Sequence, residues 1–402
     1  MDFTIQKIGF LLLIASLVAM MTRRLRVPYS VGLVATGILL AFFLPASNIE
    51  LTSEVIFTAL LPPLVFQASL FLPWHELRKE LPVVTLMATI GVVMAAGVTA
   101  AGMHYLVGWP WLSAMAFGAL IAATDPVSVV ATFSEAGVKG RLRILVESES
   151  LLNDGTAAVM LGIVLTAALG HEMSVSEVVT KILFTVGGGI VCGAAIAGAV
   201  LYLSSKTGDH LIEITLTTIA AYGSFMLAEH FHMSGVLAAM TAGLIFGNSH
   251  AYQAITNKGR EAVEAFWDYA AFLANSFVFL LIGMREAQQD FSNLWLPALI
   301  AIVLVTAGRA VAIYPVTALF SQSMRPVKMA HQHILFWGGL RGALALALAL
   351  GLPDSIPFRD EIVTLSFAVV AFSIVVQGMT IKPLMGWLGE LKAKVNSRKG
   401  MS

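Results

Sequence analysis

Three carboxylates and an amide lie within Glu147-Ser148-Glu149-Ser150-Leu151-Leu152-Asn153-Asp154-Gly155, at the head of an apolar run that continues Thr156-Ala157-Ala158-Val159-Met160-Leu161. Ionisable groups inside a membrane span are costly to bury and usually mark an ion or proton path. Glu149 and Asn153 are four residues apart, as are Ser150 and Asp154, so each pair shares a helix face. The stretch offers carboxylate, hydroxyl and amide oxygens, a ligand set that suits hard cations such as sodium. No Cys/His cluster with transition-metal spacing accompanies it.

Two further points interrupt apolar runs. In Ala122-Ala123-Thr124-Asp125-Pro126-Val127-Ser128 the proline removes a backbone donor and disfavours helix in the residue before it. The helix is expected to break at Thr124-Asp125, in mid-span, and such breaks are tolerated only inside protein or beside a cavity. Asp125 then has two open roles, capping a half-helix at its positive N-terminus or binding a cation directly. Gly338-Gly339-Leu340-Arg341-Gly342 is the second weakened point. Arg341 needs a carboxylate there, and Glu149 is the natural candidate; such a pair is net neutral and costly to break. Arg309, also within an apolar run, is left facing Asp154, Asp125 or lipid headgroups. Lys181, Glu229 and Glu147 stand near span ends, where snorkelling to the interface accounts for them.

The elements that carry these residues follow from composition. The 402 residues are 58% hydrophobic and 12% charged, and the formal net charge is zero. Mean hydropathy is +0.84. Soluble domains carry about 25% charged residues, so lipid is the solvent implied here. No basic tract points to nucleic acid. The single Cys192, in a small-residue apolar run, excludes a disulfide framework and reads as packing. The apolar run from Ile8 to Met20 is followed, not preceded, by the basic Arg23-Arg24-Leu25-Arg26, and it reads as a first span and not as a cleaved signal. Spans are expected near 8–22, 28–45, 53–72, 81–107, 111–135, 142–169, 176–204, 211–230, 233–250, 262–284, 292–320, 329–352 and 360–386, about thirteen by length. Short gaps carry breakers such as Pro45, Gly108, Pro110, Gly170 and Pro353.

Alternate loops are basic: Arg23/Arg24/Arg26, Arg78/Lys79, Lys139/Arg141/Arg143, Lys206, Lys258/Arg260, Arg325/Lys328, and the tail with Lys392, Lys394, Arg398 and Lys399. The positive-inside rule therefore puts the C-terminus in the cytoplasm and the N-terminus outside, in a multi-pass protein of the cell (inner) membrane. A faint repeat relates Val34-Ala35-Thr36-Gly37-Ile38-Leu39 to Met240-Thr241-Ala242-Gly243-Leu244-Ile245, in spans of opposite direction, as an inverted repeat requires.

Thr124-Asp125-Pro126, Glu149-Ser150-Leu151-Leu152-Asn153-Asp154 and Gly338-Gly339-Leu340-Arg341-Gly342 resemble the signature motifs of the monovalent cation:proton antiporter-1 family, the sodium/proton exchangers that include prokaryotic NhaP-type antiporters. Arg26-Val27-Pro28-Tyr29 and Leu61-Pro62-Pro63-Leu64-Val65-Phe66 resemble that family's second and third spans, so the resemblance covers nearly the whole chain. It implies an all-α membrane fold of thirteen helices, two inverted six-helix repeats with crossed, broken helices, and a homodimer. It implies a dimerisation scaffold at about 1–72 and 211–284, a mobile core at about 81–169 and 292–386, a linker helix at about 176–204 and a short cytoplasmic tail at 391–402. Carried over by motif, Asp154 is the shared cation- and proton-binding carboxylate and Asn153 its polar neighbour. Ser150 and Thr124 supply oxygen ligands to Na+, Glu149 pairs with Arg341, and Asp125 caps the helix crossing. The Asn-Asp pair implies electroneutral exchange. Gln67 stands where many prokaryotic members carry an acid, so a role of that acid in dimer coupling or pH response does not carry over by motif.

The expected activity is secondary antiport of Na+ (alternatively Li+ or K+) against H+, by alternating access, with no resident cofactor and no enzymatic step. Proton and cation compete for one buried carboxylate, which is costly to carry across the barrier empty and ionised. An aspartyl protease built on Asp125 and Asp154 is disfavoured, because Gly-x-Gly-Asp is missing around both and Asn153 has no proteolytic role. His-Glu-x-x-His is also missing, and neither a carbonyl loop nor a charged ring supports a passive channel.

Overall fold

The computed structural model describes residues 5–25, 27–43, 52–125, 133, 138, 140–168, 174–248, 257–287, 289 and 292–390. Arg26, Pro45, Pro126, Lys139, Gly170 and the tail at 391–402 lie outside the described residues.

The described chain is helical, as its hydropathy requires. In order come α1 (Ile5–Leu25), α2 (Tyr29–Phe43), α3 (Ser53–Leu70), α4 (Trp74–Val107), α5 (Trp111–Ile121), α6 (Arg141–Ala168) and α7 (Val175–Ser204). They are followed by α8 (His210–His230), α9 (Gly235–Asn248), α10 (Asn257–Glu286), α11 (Trp295–Leu319), α12 (Met329–Trp337), α13 (Ala343–Leu350) and α14 (Arg359–Trp387). Among the described residues nine of these are long and apolar enough to cross a membrane, and α2, α5 and α9 are shorter apolar helices. Backbone groups in lipid must be satisfied within the segment, which leaves helix as the form available to such runs.

Local chemistry sets the helix ends. Thr52 caps α3 by accepting the Val55 N–H at 3.4 Å. Ser174 and Glu177 form a capping box at α7. Asp209 caps α8 through the Leu211 N–H at 2.8 Å. Gly108, at φ +86°, ends α4 in the left-handed region that glycine enters without penalty.

One boundary differs from expectation. The loop expected to hold Arg78 and Lys79 is the first part of α4, which begins at Trp74 and not near 81. The reason is Glu80. It is buried, and its carboxylate accepts from Arg141 Nε and Nη2 at 3.0 and 2.9 Å and from Arg325 Nη1 at 2.9 Å. This clamp holds the starts of α4 and α6 against the α11–α12 connection.

Packing falls into two sets. α2 lies along α10 and α3 along α9, with α7 and α8 against α9. Separately, α4 packs on α5 and α11, α5 on α6, and α14 on α11 and α13. The faint repeat has a structural counterpart. A Cβ on Gly37 of α2 would meet the backbone of Leu280 and Gly283 in α10, and one on Gly243 of α9 would meet Phe66 and Ser69 in α3. The two related glycines thus permit equivalent close crossings, each between a helix of one half and a helix of the other.

Candidate functional site

Both expected breaks are present, and they meet. α5 ends at Ile121, and residues 123–125 are non-helical. α12 ends at Trp337, and α13 begins only at Ala343. The Asp125 N–H donates to the Leu340 carbonyl at 2.7 Å, so one interrupted strand of backbone satisfies the other. The Arg341 N–H donates to the Ser373 hydroxyl at 2.6 Å, tying the second break to α14.

The second half of the span at 111–135, beyond Asp125, lies outside the described residues. Asp125 itself lies against Gly342, the residue just before α13: a Cβ on Gly342 would collide with the Asp125 carboxyl group. The carboxylate therefore neighbours the positive end of α13, the favourable place for a negative charge.

α6 runs beside this crossing. Asn153, fully buried, staples it to the first break. Its Oδ1 accepts the Thr124 N–H at 3.1 Å, and its Nδ2 donates to Thr124 Oγ1 at 2.5 Å and to Glu149 Oε1 at 2.9 Å. The Thr124 and Ser150 hydroxyls are 2.8 Å apart and share a hydrogen bond. An aspartate in place of Asn153 has no N–H to make the two donations.

The expected Glu149–Arg341 pair is not formed. Glu149, 1% exposed, is held by Arg309, with Nη1 on Oε1 and Nη2 on Oε2, both at 2.7 Å. Arg309 also donates from Nε and Nη2 to the Leu335 carbonyl, at 3.3 and 3.1 Å. Arg341, 3% exposed, donates through Nη1 to the carbonyls of Ala122 and Ala123, at 2.5 and 3.0 Å.

The physical reason is the crossing. Each broken helix leaves carbonyls without intrahelical partners at a negative C-terminal end. Arg341 takes the end of α5, and Arg309 takes the end of α12. From that post the Arg309 fork meets Glu149 bidentately. The roles of both arginines were open to sequence reading only as in-span charges; spacing carries no signal about which one reaches Glu149.

Asp154 contrasts with all of these groups. It is 7% exposed, and its Oδ1 is buried with no hydrogen-bond partner. The charges that act on it are Asp125, Glu149 and Arg341. It lines a cavity with Thr124 and Asp125 on one side and Leu61, Leu64 and Ala68 of α3 on the other. Ser150 does not line that cavity and stands behind Thr124. Of the residues that line the cavity, Asp154, Asp125 and Thr124 are the ones with side-chain oxygens. Among the described residues no group of three or more His, Cys, Asp or Glu side chains has the arrangement of a bound-metal site.

The remaining in-span charges have partners away from the crossing. Glu229 accepts the Gly235 N–H at 3.0 Å and caps α9. Lys181 donates to Thr166 Oγ1 at 2.5 Å. Glu147 pairs with Arg143 at 2.6 Å, one turn away. Gln67 donates to Asp268 Oδ1 at 3.0 Å. Ser373, which supports the crossing, and Glu80, which clamps the starts of α4 and α6, escaped sequence reading: a serine in an apolar helix and a glutamate beside two basic residues carry no distinguishing pattern.

A sequence profile described as sodium/hydrogen exchanger, transmembrane, matches residues 10–387. The chain is 36% identical over 378 residues to the Na(+)/H(+) antiporter ApNhaP of Aphanothece halophytica, covering 93% of this chain and 72% of that protein. It is 33% identical over 411 residues to the Na(+)/H(+) antiporter NhaP of Pseudomonas aeruginosa, covering 93% and 96%. The sodium proton antiporter MjNhaP1 from Methanocaldococcus jannaschii, solved at pH 8, superposes with a TM-score of 0.77 at 20% identity, over 96% of this chain and 98% of that one. At that identity the likeness speaks to the fold.

Proposed function

The chain belongs to the sodium/hydrogen exchanger family, a family of multi-pass membrane transporters and not of enzymes, and from that premise we propose that it exchanges Na+ for H+ on Asp154. The observation that carries the assignment to this residue is its buried, unpartnered Oδ1, on a residue that also lines the cavity. Every other carboxylate oxygen at the crossing for which a contact is described already has a role, with Glu149 fully engaged by Arg309 and Asn153.

A proton or a monovalent cation neutralises Asp154, and either form is less costly to carry through the barrier than the bare charge. Glu149 stays compensated by Arg309, and Asn153 is uncharged. One cation then exchanges for one proton, and no net charge moves.

We read the chain as a scaffold at about 1–72 and 211–284 and a mobile core at about 81–169 and 292–386, joined by the linker helix at about 176–204; the two packing sets support that reading. Movement of the core against the scaffold supplies alternating access. The protein acts as a homodimer in the cell membrane. Its basic loops put the N-terminus outside and the C-terminus in the cytoplasm. In that orientation α3 enters from outside at Ser53 and ends inside at Leu70. Its inner half borders the cavity, while Ile56 and Leu60 of its outer half are buried, and that half packs against α13 and α10. On this reading the state described is the one that faces the cytoplasm.

The test is reconstitution in vesicles with an internal pH dye and an imposed pH gradient, adding NaCl, LiCl and KCl in turn. Sodium-driven proton movement is expected in the wild type. No response to any of the three salts ends the antiport reading, and a response to KCl alone makes the protein a K+/H+ exchanger.

A further inference from the structure

The outer seam between scaffold and core holds a carboxylate that exchange on Asp154 does not use. Glu286 is the last residue of α10, half-buried, and its Oε2 is buried without a hydrogen-bond partner. The Gln289 N–H donates to the Glu286 carbonyl at 3.1 Å, so the two belong to one turn. From that turn Gln289 Oε1 accepts the Thr364 hydroxyl of α14 at 2.8 Å. This hydrogen bond runs from the scaffold set to the core set. Thr364 is buried, and it lies near the start of α14, at the end of the bundle away from the cavity at Asp154.

Among the described residues Glu286 makes no ion pair, and burial is the only influence acting on it: no charge comes from α2, α10 or α14. A carboxylate buried without a counter-charge is carried as the neutral acid or with a bound cation. The closed seam suits the neutral acid. When the core leaves α10 the seam opens to the outer water, and the ionised group then offers its oxygens to a cation.

We propose that Glu286 is a second, outer site for the monovalent cation and the proton, covered while the protein faces inward and uncovered when it faces outward. The proposal rests on the antiport reading above. It gives the outer face a carboxylate relay of its own, so the two faces should respond differently to substitution of Glu286.

The experiment compares Glu286→Gln with wild type in right-side-out and inside-out vesicles, with sodium as the probe. The outer half-saturation for sodium is expected to rise by about fivefold, the size of a single partly hydrated charge contact. The inner half-saturation should stay within about twofold of wild type. No change on either face overturns the proposal. An equal shift on both faces also overturns it, since a purely structural role would act so.

A second measurement serves if the glutamine variant does not fold. Glu286→Cys in a Cys192→Ala background is labelled from the outer face with a membrane-impermeant thiol reagent. Adding Thr364→Val, which removes the seam hydrogen bond, should speed labelling several-fold; an unchanged rate overturns the proposal. Sodium-driven exchange by the wild type is the control for the antiport reading itself. Its absence would end that reading, while the labelling still decides whether Glu286 becomes uncovered as the seam opens.

Discussion

Glu149 and Asp154 stand five residues apart on α6, and both are nearly inaccessible, yet they are held in opposite ways. Glu149 has both oxygens engaged, by the Arg309 fork and by Asn153. Asp154 keeps an oxygen with no partner and faces a cavity. A buried pair that is fully hydrogen-bonded is costly to break, so Glu149 fixes the architecture and stays charged. A buried carboxylate with an empty valence has no such anchor, and its charge is available to a proton or a cation. On the proposed reading the same side-chain chemistry is structural at one position and transporting at the other, and the difference lies in what surrounds it.

The sharpest way to break this contrast is Asp154→Asn. Dye-monitored sodium/proton exchange should fall to background, while the melting temperature in detergent stays at or above that of wild type, because an unpaired buried carboxylate does not support the fold. Wild-type exchange in that variant would end the assignment.

Next in size is the opposite pattern at the pair. Glu149→Ala or Arg309→Ala leaves a buried charge uncompensated, at a cost of about 3–5 kcal/mol, read as a lowered melting temperature. The double mutant should lose much less than the sum. Arg341→Ala combined with Glu149→Ala should instead be close to additive, and strong coupling there would restore the pairing that sequence reading favoured.

A smaller effect is expected from Asn153→Asp. It removes the two donations to Thr124 and Glu149 and sets a second acid beside Glu149, for a loss of about 1–3 kcal/mol. Denaturation in detergent measures it, and an unchanged stability would mean that the staple across the first break is dispensable.

The smallest expected effect is none at all. If Asp154 alone carries mobile charge, exchange should be indifferent to a valinomycin-clamped potential, which acts at about 2.3 kcal/mol per unit charge moved per 100 mV. Acceleration by one sign of potential would show that Glu149 or Asp125 titrates as well, and the contrast between the two α6 carboxylates would then fail.

Much of this is legible in the sequence alone. Asp125 before Pro126 and the Gly338–Gly342 run announced the two breaks, because proline and glycine act on the backbone within a residue or two of themselves. Asn153 and Asp154 were legible because amides and acids are rare inside apolar runs. The start of α4 was misplaced because Glu80 reads as an ordinary loop charge until Arg141 and Arg325 close on it. The contact of Ser150 with Thr124 was not legible, since helical spacing sets a face but not its distance from a neighbouring segment.

Hydropathy, breakers and the positions of in-span charges were thus determined by the sequence itself, since each depends on neighbours along the chain and on the surrounding solvent. The partner of each charge was decided only by the tertiary structure. Arg309 and Arg341 are chemically equivalent in sequence. Which of them meets Glu149 depends on how two broken helices cross and on which orphaned carbonyls each guanidinium must satisfy, a question of three-dimensional reach that no spacing along the chain contains.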